Sequence, residues 1–188
     1  MVRAPQPAPI PLEVVAAARH GDRAAISEIY QAFAPGIIGY LRGAGARDPE
    51  NLAGDVFVGV IRGLPRFAGD GTALRTWAFT IAHRRLVDER RRQRRRPEAA
   101  FDETDNVLLF AAGDDFERVL DAISAVPVRE ALEWLTNDQR AVVLLRVVAD
   151  LSLAETARVM HKPVAAVKML QRRAFDALAR TIPKAAVT

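Results

Sequence analysis

Apolar residues recur at intervals of three and four positions along most of the chain, which is the period of an amphipathic helix. Residues 52–64 carry one such face, formed by Leu52, Val56, Phe57, Val60, Ile61 and Leu64. Residues 72–86 carry another, formed by Leu74, Trp77, Ala78, Ile81, Ala82 and Leu86. The β-branched run at residues 142–148 follows a helix cap, so no segment favours a strand and the pattern predicts an all-α fold.

Capping residues and prolines set the expected helix ends in the first half of the chain. The expected N-caps are Asp22, Asp48 and Thr72, and Pro49 suits the first turn of a helix. These signals, with the breaks at glycine and proline, predict helices over residues 12–19, 22–33, about 35–41, 48–64 and from 72 into the arginine run at 84–96.

The last fifty residues predict a helix-turn-helix. Ser152 and Glu155 have the spacing of a capping box, which starts a short helix running to about Met160. Residues 161–163 then end this helix, and a second helix is expected from about 164 to 180. Its expected packed face is Val164, Val167, Leu170, Ala174, Phe175 and Leu178. The other face has small residues near its start and cations beyond, which suits entry into a DNA major groove. A further capping box, at Thr136 and Gln139, opens the helix before it.

The charges are segregated along the chain, although the net charge is only +4. Residues 84–97 hold eight arginines and two acids (+6), residues 98–138 hold eleven acids and two arginines (−9), and residues 139–188 hold nine cations and three acids (+6). Two basic units around an acidic connector suggest two nucleic-acid contacts. The alternative is that each arginine run is a solvated helix face.

These patterns together predict two small helical domains joined by an acidic, flexible linker. The expected divisions are a flexible, proline-rich lead-in and first helix at 1–20, a first domain at 21–97, the linker at 98–116, and a domain carrying the helix-turn-helix at 117–188. The two domains are expected to fold separately, because periodicity is lost between them.

Several classes of function are disfavoured by residues that the chain lacks. It has no cysteine, and its three histidines fall in separate segments, so neither a metal site nor a catalytic cluster is indicated. Asp70 lies between Gly69 and Gly71 and would repel a phosphate rather than cradle it. No apolar stretch is long enough to cross a membrane, and the N-terminus lacks a signal-peptide core. We expect a cytoplasmic protein that is not an enzyme, needs no cofactor and inserts into no membrane.

Residues 67–96 combine a glycine-containing loop, a helix start with two aromatic residues and a cationic helix end. Trp77 and Phe79 beside arginines are what single-stranded nucleic acid requires, because bases stack on rings while cations hold the backbone. The alternative is that both rings belong to the core, and Trp77 can serve in both ways.

The order of these motifs resembles a known family. The first block is Asp48-Pro49-Glu50-Asn51-Leu52, Val56-Phe57, Leu64-Pro65-Arg66-Phe67, Arg75-Thr76-Trp77, Ile81-Ala82 and Asp88 before the arginines. The second is Gln139-Arg140, Leu144-Leu145-Arg146, Leu151-Ser152, Glu155-Thr156-Ala157, Pro163 to Lys168, Arg173-Ala174 and Leu178. They are similar to regions 2 and 4 of bacterial sigma-70 factors, above all those of the extracytoplasmic-function (ECF) branch. Gly54-Asp55 departs from the family's common Gln-Glu, and His161-Lys162 stands where the family usually has glycine.

The resemblance implies three sets of contacts. Residues expected at the promoter −10 element are Phe67, Gly69, Asp70, Thr72, Arg75, Trp77, Arg84, Arg85 and Arg91. Residues expected at the −35 element are Pro163, Ala165, Ala166, Lys168, Met169, Arg172 and Arg173. Residues expected to contact core polymerase are Asp48, Glu50, Asn51, Asp55 and Phe57.

The same resemblance implies the partners: promoter DNA, the β′ clamp helices and β flap of core RNA polymerase, and an anti-sigma factor. It implies a sigma factor that directs initiation and helps to melt the −10 region. The alternative reading is a stand-alone helix-turn-helix regulator, which would bind duplex operator without polymerase. An enzyme acting on nucleic acid is a third class, which the missing metal or nucleophile cluster disfavours.

Overall fold

The computed structural model describes residues 10–94 and 128–181, and the regular structure in both ranges is helical. We call these ranges the N-terminal and C-terminal units. The proline-rich lead-in up to residue 9, the acidic linker at 98–116, the expected domain start at 117 and the last two arginines of the run, Arg95 and Arg96, lie outside the described residues.

The N-terminal unit contains four α-helices and a short 3-10 turn. These are α1 (Leu12–Arg19), α2 (Arg23–Gly43), α3 (Pro49–Gly63), the turn Leu64–Arg66 and α4 (Gly71–Arg94). α3 packs against both α2 and α4, while α1 packs against α2, the 3-10 turn and α4. The side chains of Ile29, Ile37, Tyr40, Val56, Leu74 and Leu86 are almost fully buried between them.

The helix boundaries differ from the sequence prediction in two places. α2 is one helix through Pro35 rather than two, because Pro35 lies on the exposed side, where water can satisfy the carbonyl that loses its partner. α4 begins at Gly71, and Asp70 rather than Thr72 caps it: the Asp70 carboxylate accepts a hydrogen bond from the Ala73 N–H at 2.8 Å. The caps predicted at Asp22 and Asp48 are confirmed.

The C-terminal unit contains α5 (Val128–Glu133), α6 (Asn137–Val147), α7 (Leu153–Met160) and α8 (Val164–Thr181). Both predicted capping boxes are formed. In the second, the Ser152 N–H donates to the Glu155 carboxylate at 2.7 Å, and the Glu155 N–H donates to Ser152 Oγ at 3.2 Å. The helix-turn-helix is therefore confirmed, with α7 and α8 as its two helices.

Two apolar residues assigned to packed faces are instead exposed. Ile61 on α3 is 44% exposed and Val164 at the start of α8 is 48% exposed, so both assignments were wrong. Each belongs to the edge of its apolar stripe, where a helical pattern alone does not say how far the neighbouring helix extends.

The two units contact each other directly. α4 packs against α7, and α2 packs against α6. At the first contact, the Thr76 hydroxyl donates a hydrogen bond to the Glu155 carboxylate at 3.2 Å across 79 positions of sequence. The sequence contains no local signal for this packing.

Candidate nucleic-acid interface

The loop between α3 and α4 holds a stacked pair of aromatic rings. Phe67 stacks on Trp77 with ring centroids 5.1 Å apart and an angle of 28° between the ring planes. A Cβ at Gly63 would lie 2.6 Å from the Trp77 ring, and one at Gly69 would lie 2.9 Å from Phe67 Cζ. Only glycine fits these close approaches, so the backbone fixes the position of the ring pair. Both rings are partly exposed, which leaves surface for a flipped base.

The start of α4 is held from the other side by the N-terminal segment. A Cβ at Gly71 would lie 2.1 Å from the Ile10 carbonyl oxygen, and Ile10 itself is buried. Asp70 is engaged in capping α4, while Thr72 is exposed at the first turn. Asp70 therefore shapes the loop, and Thr72 is the freer of the two to meet a ligand.

The arginine run on α4 is divided between structural and exposed side chains. Arg84, Arg91 and Arg92 are exposed, and Arg85 is half-buried. Arg90 instead donates a hydrogen bond from Nη2 to the carbonyl of Ala44, just past the end of α2. A cation at that position satisfies one of the carbonyls that the helix leaves open. Nothing in the local sequence distinguishes Arg90 from the other arginines of the run.

A buried polar pair behind this surface was missed by the sequence analysis. The hydroxyl of Tyr40 lies 2.7 Å from Nδ1 of His83, and both side chains are buried between α2 and α4. Burial and the nearby charge of Arg90 lower the pKa of His83 to about 4, and burial raises the pKa of Tyr40 above its usual value. His83 is therefore neutral at pH 7 and holds two helices of the basic surface together. Phe79, for which the sequence left open a nucleic-acid role or a place in the core, is 2% exposed and belongs to the core.

The start of α8 presents a mixed apolar and cationic face. Pro163, Ala165 and Lys168 are exposed, and Ala166 and Arg173 are partly exposed. Val164 and Met169 are 48% and 46% exposed and add apolar surface beside them. Small and apolar side chains at this end of a recognition helix can touch thymine methyl groups.

Arg172, one turn beyond Lys168, is more enclosed. Its side chain is 27% exposed, and its Nε lies 3.9 Å from the Asp176 carboxylate. Its Nη2 is buried without a hydrogen-bond partner among the described residues. A guanidinium left with an open donor can still turn toward an acceptor on DNA, but Lys168 needs no such rearrangement.

The turn of the helix-turn-helix has left-handed backbone at a side-chain-bearing residue. His161 has φ 52° and ψ 40°, a left-handed conformation that glycine adopts more easily than a residue with a side chain. The N–H of Lys162 donates to the carbonyl of Ala157 at 3.0 Å, the long bond of a Schellman motif. The Lys162 ammonium lies 2.8 Å from the Asp138 carboxylate, which ties the turn to the start of α6.

The residues expected to contact core polymerase lie at the start and along one side of α3. Asn51 and Asp55 are exposed, Asp48 caps the helix, and Glu50 forms an ion pair with Arg42. Phe57 is only 5% exposed and packs against Tyr30 with ring centroids 4.6 Å apart, so the structure places it in the core. Three large side chains near this side are exposed instead: Tyr30, Val58 and Ile61.

Within residues 10–94 and 128–181, no group of three or more histidine, aspartate or glutamate residues is arranged to hold a metal ion. Among the helices of those same two ranges, none has both the length and the apolar character to cross a membrane.

Comparison with known proteins identifies both blocks. Residues 29–96 match the family Sigma-70 region 2, and residues 125–178 match Sigma-70, region 4. The ECF RNA polymerase sigma factor BldN of Streptomyces coelicolor is 32% identical over 92% of this chain and 66% of its own length. SigD of Mycobacterium tuberculosis is 30% identical over 88% of this chain and 80% of its own. RpoE of Cereibacter sphaeroides is 32% identical over 85% of this chain and 87% of its own length.

A solved structure is also similar. CnrH, determined in complex with the cytosolic domain of CnrY, has a TM-score of 0.65 and 21% identity, covering 91% of this chain and 96% of that chain. At that identity the likeness establishes the shared helical fold. Regions 2 and 4 in this order define the sigma class of transcription-initiation proteins. The chain belongs to the sigma-70 family, and its relatives of known name place it in the ECF branch, as the sequence predicted.

Proposed function

We propose that this sigma factor binds core RNA polymerase through α3, opens the −10 element with the loop before α4 and with α4 itself, and reads the −35 element with α8. One observation supports this above the others: the chain carries two separate surfaces suited to DNA, one aromatic and basic, one a recognition helix. The catalytic chemistry of RNA synthesis is assigned to the polymerase.

The first test of the whole proposal is run-off transcription. Purified core polymerase and this chain, given a library of promoters, should produce transcripts that neither component makes alone. The selected promoters should show two preferred elements. If the chain instead binds duplex DNA tightly without polymerase and adds nothing to transcription, it is a stand-alone regulator.

At the −10 element, we assign Phe67 and Trp77 to the unstacked base and exposed arginines to the backbone. Phe67→Ala should slow promoter opening, seen as lower permanganate reactivity of the melted strand, while Phe67→Tyr keeps the ring and should behave as wild type. Equal reactivity for all three proteins would show that the loop is only a connector.

The exposed arginines can be tested by salt dependence. Each phosphate contact contributes about 0.9 to the slope of log affinity against log salt on duplex DNA. Arg91→Ala with Arg92→Ala should therefore lower the slope of the holoenzyme by more than one unit, with little change in sequence preference. The control removes two exposed arginines from the start of the chain, Arg19 and Arg23, and should leave the slope unchanged.

At the −35 element, we assign Lys168 and Arg172 to the major groove, with Ala165 and Ala166 allowing the backbone to approach. Loss of a base contact should cost roughly 1–3 kcal/mol of discrimination at one position, whereas loss of a phosphate contact should weaken all sequences alike. Lys168→Ala and Arg172→Ala are compared with Arg180→Ala, an exposed cation at the far end of α8. If both leave −35-dependent transcription intact, α8 is not the reading helix.

We further propose that Asn51, Asp55 and the exposed side of α3 form the contact with the β′ clamp helices. An anti-sigma factor and a cytoplasmic location are part of the same proposal, supported by the family relationship. Asp55→Lys should reduce co-elution with core polymerase without changing the helical circular dichroism of the chain.

A further inference from the structure

The loop that carries Phe67 is short, so the elements at its two ends set its position. It covers residues 67–70, between the 3-10 turn and the first residue of α4. The Phe67 N–H donates to the Leu64 carbonyl at 3.0 Å, and the Asp70 carboxylate accepts from the Ala73 N–H at 2.8 Å. A shift of the 3-10 turn or of the start of α4 would therefore move the loop as well.

The N-terminal segment contacts both of these ends. α1 packs against the 3-10 turn and against α4. Just before α1, the backbone of Ile10 lies very close to the start of α4: a Cβ at Gly71 would be 2.1 Å from the Ile10 carbonyl oxygen and 2.9 Å from its N and C atoms. Glycine has no Cβ and so allows this approach. The contact therefore joins backbone to backbone, and no flexible side chain lies between them.

Two features of the sequence hold Ile10 in this place. Ile10 precedes Pro11, and the residue before a proline is disfavoured in helical conformation, so Ile10 stays outside α1. The side chain of Ile10 is 6% exposed and belongs to the hydrophobic core, whereas Leu12 is 64% exposed. The Val15 N–H donates to the Pro11 carbonyl at 3.1 Å and closes the first turn of α1. The buried side chain of Ile10 therefore fixes the backbone of this segment against Gly71.

The start of α4 is in turn coupled to the aromatic pair. Trp77 lies on α4 less than about two helical turns beyond Gly71, and Phe67 stacks on it. A Cβ at Gly69 would lie 2.8 Å from the Ala73 Cβ and 2.9 Å from Phe67 Cζ, so the loop, the first turn of α4 and the ring are in close contact. Such packing transmits a displacement at the start of α4 to the ring pair.

We propose that Ile10 is a positioning residue for opening of the −10 element. It holds the start of α4 so that Phe67 and Trp77 are presented to the unstacked base, and it acts through Gly71 rather than on DNA. The inference rests on the proposed function for its consequence in transcription, but not for the placement of the rings. If Ile10 contributed only stability, its loss would lower the amount of active protein without changing what each active molecule does.

The test compares the same substitution at two buried isoleucines. Ile10→Ala removes the side chain that fixes the segment beside the loop. Ile37→Ala is the control, because Ile37 is fully buried one turn before Tyr40, and Tyr40 contacts Phe79, more than about two turns past the start of α4. Ile10→Val keeps a branched side chain and should behave as wild type. Gly71→Ala disturbs the same contact from the opposite side with Ile10 intact, so it serves as the test if Ile10→Ala does not fold.

Placement of the rings is measured in the free, full-length chain. With Trp134→Phe, Trp77 is the one tryptophan left in the sequence, and acrylamide quenching of its fluorescence reports the exposure of its ring. Below the unfolding transition of each protein, Ile10→Ala and Gly71→Ala should raise the quenching constant above wild type, and Ile37→Ala should not. Unchanged quenching in both test variants, or an equal rise in the control, would overturn the positioning of the rings by Ile10.

The consequence is measured as a ratio of transcription from two templates. One is a duplex promoter selected from the library, and the other is the same promoter with its −10 region already unpaired. The same holoenzyme preparation transcribes both, so the ratio of duplex to unpaired template does not depend on the amount of active protein. Ile10→Ala and Gly71→Ala should lower this ratio at least about fivefold, which is the low end of what one base–aromatic stack contributes. Ile37→Ala and Ile10→Val should keep the wild-type ratio.

Phe67→Ala separates failure of this inference from failure of the proposed function. If Phe67→Ala lowers the ratio and Ile10→Ala does not, Ile10 has no role in promoter opening and the inference is overturned. If Phe67→Ala also leaves the ratio unchanged, or if wild type transcribes neither template, the proposed function of the loop is wrong. The quenching result then still decides whether Ile10 positions the rings.

Discussion

Gly71 offers a direct test of how tightly the N-terminal segment is packed. It is the first residue of α4, and an alanine Cβ there would lie 2.1 Å from the carbonyl oxygen of Ile10 and 2.9 Å from its N and C atoms. These are backbone atoms of a buried residue, so no side-chain rotation relieves the clash. Gly71→Ala must displace Ile10 or distort the start of α4.

The size of the effect follows from two opposing terms. Alanine gains at most about 1 kcal/mol over glycine in a helix. Overpacking typically costs 1–3 kcal/mol, and the upper end applies where backbone meets backbone. We therefore expect Gly71→Ala to destabilise the N-terminal unit by about 2 kcal/mol. Gly54→Ala is the matched control, because a Cβ there meets nothing within 4 Å, and it should stabilise by up to about 1 kcal/mol.

The two tryptophans allow each unit to be followed separately. Trp77 reports on the N-terminal unit and Trp134 on the C-terminal unit, so Trp134→Phe leaves one probe. Urea unfolding of Gly71→Ala and Gly54→Ala in that background gives the change in free energy of unfolding. If Gly71→Ala is as stable as its parent, the Ile10 segment yields freely and the packing argument is refuted.

Three further predictions concern single side chains. The pKa of His83 falls from 6.5 to about 4 on folding, so its contribution to the free energy of unfolding should be full above pH 6.5 and fall by about 2 kcal/mol between pH 7 and pH 5. The charged and titratable groups that act on His83 are Arg90, Asp138, His161 and Lys162. In urea titrations at several pH values, His83→Gln should flatten this pH dependence. Ser152→Ala should cost about 1 kcal/mol in unfolding followed at Trp134, through loss of the cap. His161→Gly should stabilise the same unit by about 1 kcal/mol, and equal or lower stability would mean that the left-handed backbone carries no strain.

Local interactions explain why the helix-turn-helix could be predicted. The Ser152–Glu155 capping box, the turn at His161 and the start of α8 depend on residues within a few positions of each other. The same holds for Asp22 and Asp48. Such signals are present in the local sequence and do not depend on how the rest of the chain packs.

Contacts between distant segments explain what the sequence analysis missed. Tyr40 and His83 meet across 43 positions, and Arg90 reaches Ala44 across 46. Pro35 interrupts the pattern of a helix, yet the burial of Ile37 and Tyr40 beyond it keeps α2 continuous. In each case tertiary packing, which no local pattern reports, decides the outcome.

The glycines inside helices show most clearly that local sequence does not report tertiary packing. Gly39 and Gly54 both lie inside helices, and each reduces the stability of its helix by a similar free energy. Helix propensity therefore does not distinguish the two positions. A Cβ at Gly54 would enter open space, whereas one at Gly39 would meet Val148 of the other unit. The difference lies in the partner and not in the residue. A glycine inside a helix therefore becomes informative only when the structure shows what approaches it, which is Val148 at Gly39 and nothing within 4 Å at Gly54.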